Sequence, residues 1–157
     1  MTLTTEVAYA TRHPWAPSAR LIQAWASAAA GAKGRQATLS VRVVTPRESE
    51  RLNGHYRRKP KPTNVLSFPA ELPMGALRGE AKPLGDLVIC ARVVAREARE
   101  QGKSLAAHWA HMVVHGTLHL LGYDHEADDE AERMESREKR VLKALGFPNP
   151  YRSDADD

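Results

Sequence analysis

Residues 115–125 read His115-Gly116-Thr117-Leu118-His119-Leu120-Leu121-Gly122-Tyr123-Asp124-His125. The run places histidines at i, i+4 and i+10, with a glycine at i+7. Two histidines four apart on a helix project from one face, one turn above the other. Gly122 can take the left-handed conformation that ends a helix. The chain then reverses and carries His125 toward the first two. Three imidazoles converging on a point suit a zinc-type divalent ion at roughly 2.0–2.1 Å per nitrogen, with a fourth position open for water or substrate. An open position marks a catalytic metal site rather than a structural one. The expected ligands are therefore His115, His119 and His125.

Outward from this run, the pattern of elements predicts one α+β domain over residues 1–150 with a disordered tail over 151–157. Weak alternation over 3–10 suggests a first strand. Ala19 to Ala30 reads as a helix opened by Pro17-Ser18 and closed by Gly31. Ala37 to Thr45 alternates as a half-exposed strand. Thr45-Pro46-Arg47-Glu48 is a capping box with proline at the first helical position, so a short helix follows to about Asn53 or Tyr56. Thr63 to Phe68 and Leu84 to Ala91 are two further strands, and Glu71 to Pro83 is a mobile loop between them. Three helices complete the chain: Arg92 to Gln101, Leu105 to Leu121 with Ser104 as N-cap, and Asp128 to about Leu145. The sum is a small mixed sheet of about four strands with helices packed on it, and the metal site at the end of a central helix.

Composition narrows the function classes. The chain has 157 residues, 42% hydrophobic and 27% charged, which is enough for one real core and excludes a disordered chain. No apolar run approaches the roughly 20 residues of a membrane span. The N-terminal residues do not have the form of a secretory signal, so the cytoplasm is the expected compartment. The single cysteine, Cys90, sits in an apolar run and reads as a core thiol with no disulfide partner. The net charge of +4 is concentrated between Arg47 and Lys61, where six bases face only Glu48 and Glu50. That segment is a candidate surface for phosphate. The seven acids between Glu126 and Glu138 crowd the start of the last helix, where the helix dipole explains most of them.

The histidine spacing is similar to the metzincin protease pattern His-Glu-x-x-His-x-x-Gly-x-x-His, except that Gly116 stands in the glutamate's place. That glutamate is the general base of peptide hydrolysis, and glycine cannot replace it. The metal geometry survives while the protease chemistry does not. RNA carries a nucleophile of its own, the 2′-hydroxyl, so a missing base costs RNA cleavage less. His108, His111, His115 and His119 share an arc of about 80° on one helix face. His108 lies about 10.5 Å along the axis from His115 and cannot share its ion. His108 and His111 are therefore read as structural, at the sheet or on the cleft floor. Trp25 and Trp109 are read as core, and His13 and His55 as surface residues.

Three blocks together resemble the YbeY family, an rRNA maturation factor and single-strand-specific endoribonuclease. They are the His115–His125 run, Tyr56-Arg57-Arg58-Lys59 with Lys61-Pro62-Thr63-Asn64-Val65-Leu66-Ser67-Phe68-Pro69, and Leu84-Gly85-Asp86-Leu87-Val88-Ile89. The resemblance implies one divalent metal, usually assigned as zinc, on His115, His119 and His125, and a functionally required arginine at Arg57. It also implies action on ribosomal RNA, notably the 3′ end of 16S rRNA, together with the small ribosomal subunit, its proteins and ribosome quality control. A guanidinium at Arg57 forks onto phosphate oxygens and stabilises the charge that grows during phosphodiester cleavage. Arg58, Lys59 and Lys61 are candidate contacts to neighbouring phosphates. Asp86 is a candidate partner behind a ligand histidine; a cap at the strand end is the other reading. Two other functions stay open: a non-catalytic ribosome-assembly factor with a structural metal, and a metal-dependent hydrolase of another substrate.

Overall fold

The computed structural model describes residues 3–59, 61–70, 81–123 and 127–151. The elements run β1 (Thr4–Tyr9), α1 (Ala19–Ala30), a 3₁₀ turn (Gly31–Gly34), β2 (Ala37–Val44), α2 (Pro46–Arg57), β3 (Val65–Pro69), β4 (Lys82–Cys90), α3 (Ala91–Glu100), α4 (Leu105–Leu120) and α5 (Asp128–Ala144). The sheet has the order β1-β2-β4-β3, with β1, β2 and β4 parallel and β3 antiparallel to β4. The α+β architecture with a mixed four-stranded sheet is the one the sequence predicts. Among the described residues, no helix is long and apolar enough to cross a membrane.

Local signals account for the boundaries. The side chains of Ser18, Thr45 and Ser104 accept the main-chain N–H groups of Leu21, Glu48 and Ala107, so each caps the helix it precedes. The predicted loop over Glu71–Pro83 falls mostly outside the described residues. Its last two members belong instead to β4: Lys82 pairs with Ala37 and Pro83 with Thr38, and the Lys82 N–H donates to the Gln36 carbonyl at 2.6 Å. Parallel pairing with β2 thus extends β4 two residues before the apolar run that marked it in the sequence.

The period-2 alternation of the strands divides the core in two. On one face, Leu39, Val41, Val43, Leu87 and Ile89 pack with α1, α4 and α5 around Trp25, Trp109, Met134 and Leu142. On the other, Val44, Leu66, Val88 and Cys90 meet Val93 of α3, with Leu52 of α2 and Phe68 alongside. Cys90 is fully buried, and that burial pushes its thiol up. The central helix α4 crosses the first face and is buried on nearly all sides, from His108 to Val114 and from Gly116 to Leu118.

At Gly116, α4 packs closely against the sheet. A Cβ at this position would stand 2.7 Å from Cδ2 of Leu87. The residue after His115 therefore faces β4, and a side chain there would meet Leu87. At the end of α4, Gly122 has φ +104°, the Gly122 N–H donates to the His119 carbonyl, and the Tyr123 N–H donates to the Leu118 carbonyl. This paired closure on a left-handed glycine terminates the helix as the sequence predicts.

Candidate metal and phosphate site

His115 and His119 lie one turn apart at the C-terminal end of α4, and both are half-buried. They line a cleft of about 290 Å³ together with Arg57, Asn64, Val65, Ser67, His111, Met112 and Tyr151. Arg57 is thus brought to the same cleft from a position 58 residues earlier in the chain. The third expected ligand, His125, lies outside the described residues.

Two buried polar residues of α2 set the approach of Arg57. The Ser49 hydroxyl donates to the Thr63 carbonyl at 3.1 Å and accepts the Thr63 N–H at 2.9 Å. The Asn53 side chain donates to the Lys61 carbonyl at 2.9 Å. These contacts staple the segment after α2 back onto the helix and lead it into β3. Arg58 closes α2 in the left-handed region at φ +57°, and the Lys59 N–H returns to the Asn53 carbonyl. Arg57, Arg58, Lys59 and Lys61 are all exposed, but of the four only Arg57 lines the cleft.

Behind the histidines stands Glu138, which the sequence reading passed over. Its carboxylate is fully buried. Oε1 is 2.9 Å from His111 Nε2 and 2.9 Å from His115 Nδ1, and Oε2 accepts the Tyr151 hydroxyl at 2.6 Å. Burial alone would raise its pKa. The hydrogen bonds from His111, His115 and Tyr151 outweigh burial and hold it down to about 2. It is therefore an ionised acceptor that takes three donors. The same arrangement pushes the Tyr151 hydroxyl up, through burial and then through the Glu138 charge. Burial lowers His111, which stays neutral despite its carboxylate partner. Tyr151 lies in the stretch the sequence assigned to the tail, yet its ring sits 5.4 Å from that of His111.

The sequence held one signal for Glu138. It falls four residues after Met134 and three and four before Val141 and Leu142, on the buried stripe of α5. An acid on an apolar stripe needs a partner.

Asp86, the carboxylate the sequence nominated for this role, is elsewhere. It is exposed and sits on the opposite face of β4 from Leu87. It lines a separate hollow of about 730 Å³ with Glu6, Ser40, Arg42, Glu48 and Tyr56. The period-2 alternation of β4 puts it on the far side of the sheet from α4.

His108 forms a parallel assembly one turn deeper. Its Nε2 is 2.9 Å from Glu97 Oε1, and Asn64 Nδ2 donates to the same carboxylate at 3.0 Å. Burial raises the Glu97 pKa, and the bonds from His108 and Asn64 bring it below the usual value. His108 and His111 are both buried, and His111 also forms part of the cleft wall.

The donor set fits a divalent cation. Among the described residues, one ligand atom each from His111, His115 and Glu138 lie within 4.8 Å of one another, so this group could hold an ion. The hydrogen-bond geometry gives Glu138 a second capacity. With Nδ1–H of His115 held on the carboxylate, Nε2 is the ring nitrogen that would be presented to a metal ion.

The sequence model of one family, described as endoribonuclease YbeY, matches residues 10–146. A protein of Halorhodospira halophila named endoribonuclease YbeY is 60% identical over 136 residues, covering 87% of this chain and 88% of that protein. One of Xanthomonas axonopodis pv. citri with the same name is 58% identical over 150 residues, covering 95% and 93%. A solution structure of a Thermotoga maritima protein superposes with a TM-score of 0.57 at 20% identity, covering 95% of this chain and 99% of that one, which speaks for the fold.

Proposed function

The chain belongs to the YbeY family of endoribonucleases, hydrolases that cut RNA, and from that premise we propose that it is a metal-dependent, single-strand-specific endoribonuclease of ribosomal RNA. Its action would fall on rRNA maturation, at the 3′ end of 16S rRNA, and on ribosome quality control in the cytoplasm, with the small ribosomal subunit and its proteins as partners. One observation carries the catalytic reading: Arg57, His115 and His119 open onto one cleft.

The proposed ligands are His115, His119 and His125, and zinc is the proposed ion. A divalent ion there would supply Lewis-acid chemistry beside a phosphate. The chain's own residues do the rest. Glu138 fixes the tautomer and orientation of His115. Arg57 is the catalytic residue: its guanidinium binds the scissile phosphate and meets the growing charge of the transition state. Arg58, Lys59 and Lys61 hold flanking phosphates and give the affinity its salt dependence. The 2′-hydroxyl of the RNA is the proposed nucleophile, and replacing it by hydrogen at the cleaved linkage should abolish cutting.

Arg57→Ala is the direct test, read as cleavage of a single-stranded RNA by metal-loaded protein. Loss of one charge-stabilising donor should lower the rate by about 10²–10³, with metal content unchanged. His115→Ala should lose both metal and cleavage. A rate equal in wild type and both variants would mean a contaminating nuclease and would overturn the reading. One observation favours the assembly factor instead: among the described residues, the only carboxylate at the site, Glu138, is buried behind the histidines and cannot serve as a base toward the cleft. RNA binding that falls with Arg57→Ala, without cleavage by any form, would decide for that role.

A further inference from the structure

β3 is an edge strand whose outer side opens into the cleft. The Asn64 carbonyl accepts the Cys90 N–H at 2.9 Å, and the Ala70 N–H donates to the Leu84 carbonyl at 3.1 Å. With Leu66 opposite Val88 and Phe68 opposite Asp86, the even-numbered residues of β3 exchange main-chain bonds with β4. Val65, Ser67 and Pro69 therefore turn their main-chain polar groups the other way. That outer side is nearly sealed. The Val65 N–H is taken by the Asn64 side chain at 2.6 Å, and Pro69 has no N–H. Ser67 alone keeps an outward donor, with its own carbonyl beside it and that of Val65 before it. None of the described residues pairs with these groups, and Val65 and Ser67 both line the cleft with Arg57, His115 and His119.

We propose that the main-chain N–H and C=O of Ser67 bind the Watson–Crick edge of one unpaired nucleobase, next to the phosphate held at Arg57. Every nucleobase presents a donor and an acceptor side by side on that edge, and an extended residue presents the complement. In a duplex the edge is occupied by the partner base, so the contact admits only a single strand. Main-chain groups also accept any base by a small shift, which gives strand selection without strong sequence preference. A peptide strand is the other ligand an open edge attracts. It needs donors and acceptors at successive outward positions, and here Asn64 and Pro69 reduce the donors to one. The adjoining exposed Arg57, Arg58, Lys59 and Lys61 complement a phosphate backbone. This inference rests on RNA being the ligand of the cleft.

The test uses the full metal-loaded chain and three short oligouridylates: unmodified, fully 5-methylated and fully 3-methylated. A 3-methyl group removes the Watson–Crick N–H, whereas a 5-methyl group lies off that edge. Cleavage and binding, the latter by fluorescence anisotropy, should be similar for the first two. Both should fall about tenfold for the third, the equivalent of one lost hydrogen bond of about 1.4 kcal/mol. Ser67→Pro removes the donor without touching a ladder bond, and Pro69 already occupies a position of the same parity. Judged folded by its melting curve and metal content, that variant should bind the unmodified oligomer about tenfold more weakly and lose the discrimination against 3-methyluridine. If Ser67→Pro does not fold, the three oligomers still decide. Equal binding of the 3-methyl and 5-methyl oligomers overturns the proposal, and displacement of RNA by an extended peptide alongside that equality assigns the edge to a protein strand. Absence of cleavage in all three defeats the endoribonuclease reading instead, and the binding series still decides the contact.

Discussion

The two sides of the sheet surround two carboxylates, Glu138 and Asp86, in opposite ways. On the face covered by α1, α4 and α5, Glu138 is fully buried and receives three hydrogen bonds. On the face covered only in part by α2 and α3, Asp86 is exposed beside an open hollow that also holds Glu6, Glu48 and Arg42. A carboxylate stripped of water must be matched donor for donor, so its neighbours are fixed in place and can orient a metal ligand. A carboxylate left in water has no such demand and positions nothing. The buried assembly, not the acid that the sequence nominated, holds the histidines.

The contrast can be broken most forcefully at Glu138. In the metal-free protein, Glu138→Ala leaves two imidazoles and a tyrosine hydroxyl without their acceptor, and should cost about 3–5 kcal/mol in chemical denaturation. Glu138→Gln preserves shape and should cost less, while weakening metal affinity by about 10–100-fold if the carboxylate orients His115 from behind. Complete loss of metal in Glu138→Gln would mean that Glu138 is itself a ligand.

Acid should act on the same assembly, and the sign follows from two groups. His111 titrates below its unfolded value, so stability begins to fall as pH drops through about 6.5, where the unfolded chain takes its proton first. Glu138 titrates at about 2 when folded. Its contribution, about 3 kcal/mol, is fully present above about pH 4.5 and is lost as pH falls from there toward 2. Denaturation of the metal-free protein across pH 7 to 3 should show both losses, and Glu138→Gln should remove the second.

Gly116→Ala should cost about 1–3 kcal/mol by overpacking against Leu87, with α4 pushed off β4. A variant as stable as wild type would show that the face is more yielding than its close contact indicates. The smallest effect is expected on the open face. Asp86→Asn should change stability by less than about 0.5 kcal/mol and leave metal content unaltered. A drop in metal binding there would erase the distinction between the faces.

The ends of α4 were legible because they depend on neighbours in sequence: Ser104 caps the start and Gly122 closes the finish. The pair His115 and His119 was legible for the same reason, since helical spacing alone aligns them. The hydrogen-bond partners behind them were not. Glu138 meets His115 across 23 residues, and Tyr151 reaches Glu138 from a stretch whose polarity reads as tail. The staples at Ser49 and Asn53 were also missed, because a serine or asparagine on a helix shows its purpose only when a distant backbone arrives beside it.

By itself the sequence determined the elements, the mixed sheet and the chemistry on offer: imidazoles at metal-binding spacing, and a guanidinium in a basic segment. Those follow from short-range periodicity, capping and side-chain type. Tertiary structure alone decided which groups meet. It turned Gly116 toward Leu87, brought Arg57 to the histidines' cleft, and put Asp86 on the far face. It placed Glu138 where three donors converge and left Ser67 at an open edge. Each is a matter of packing geometry between segments far apart in the chain, where burial sets the cost of an unpaired polar group and so selects its partner.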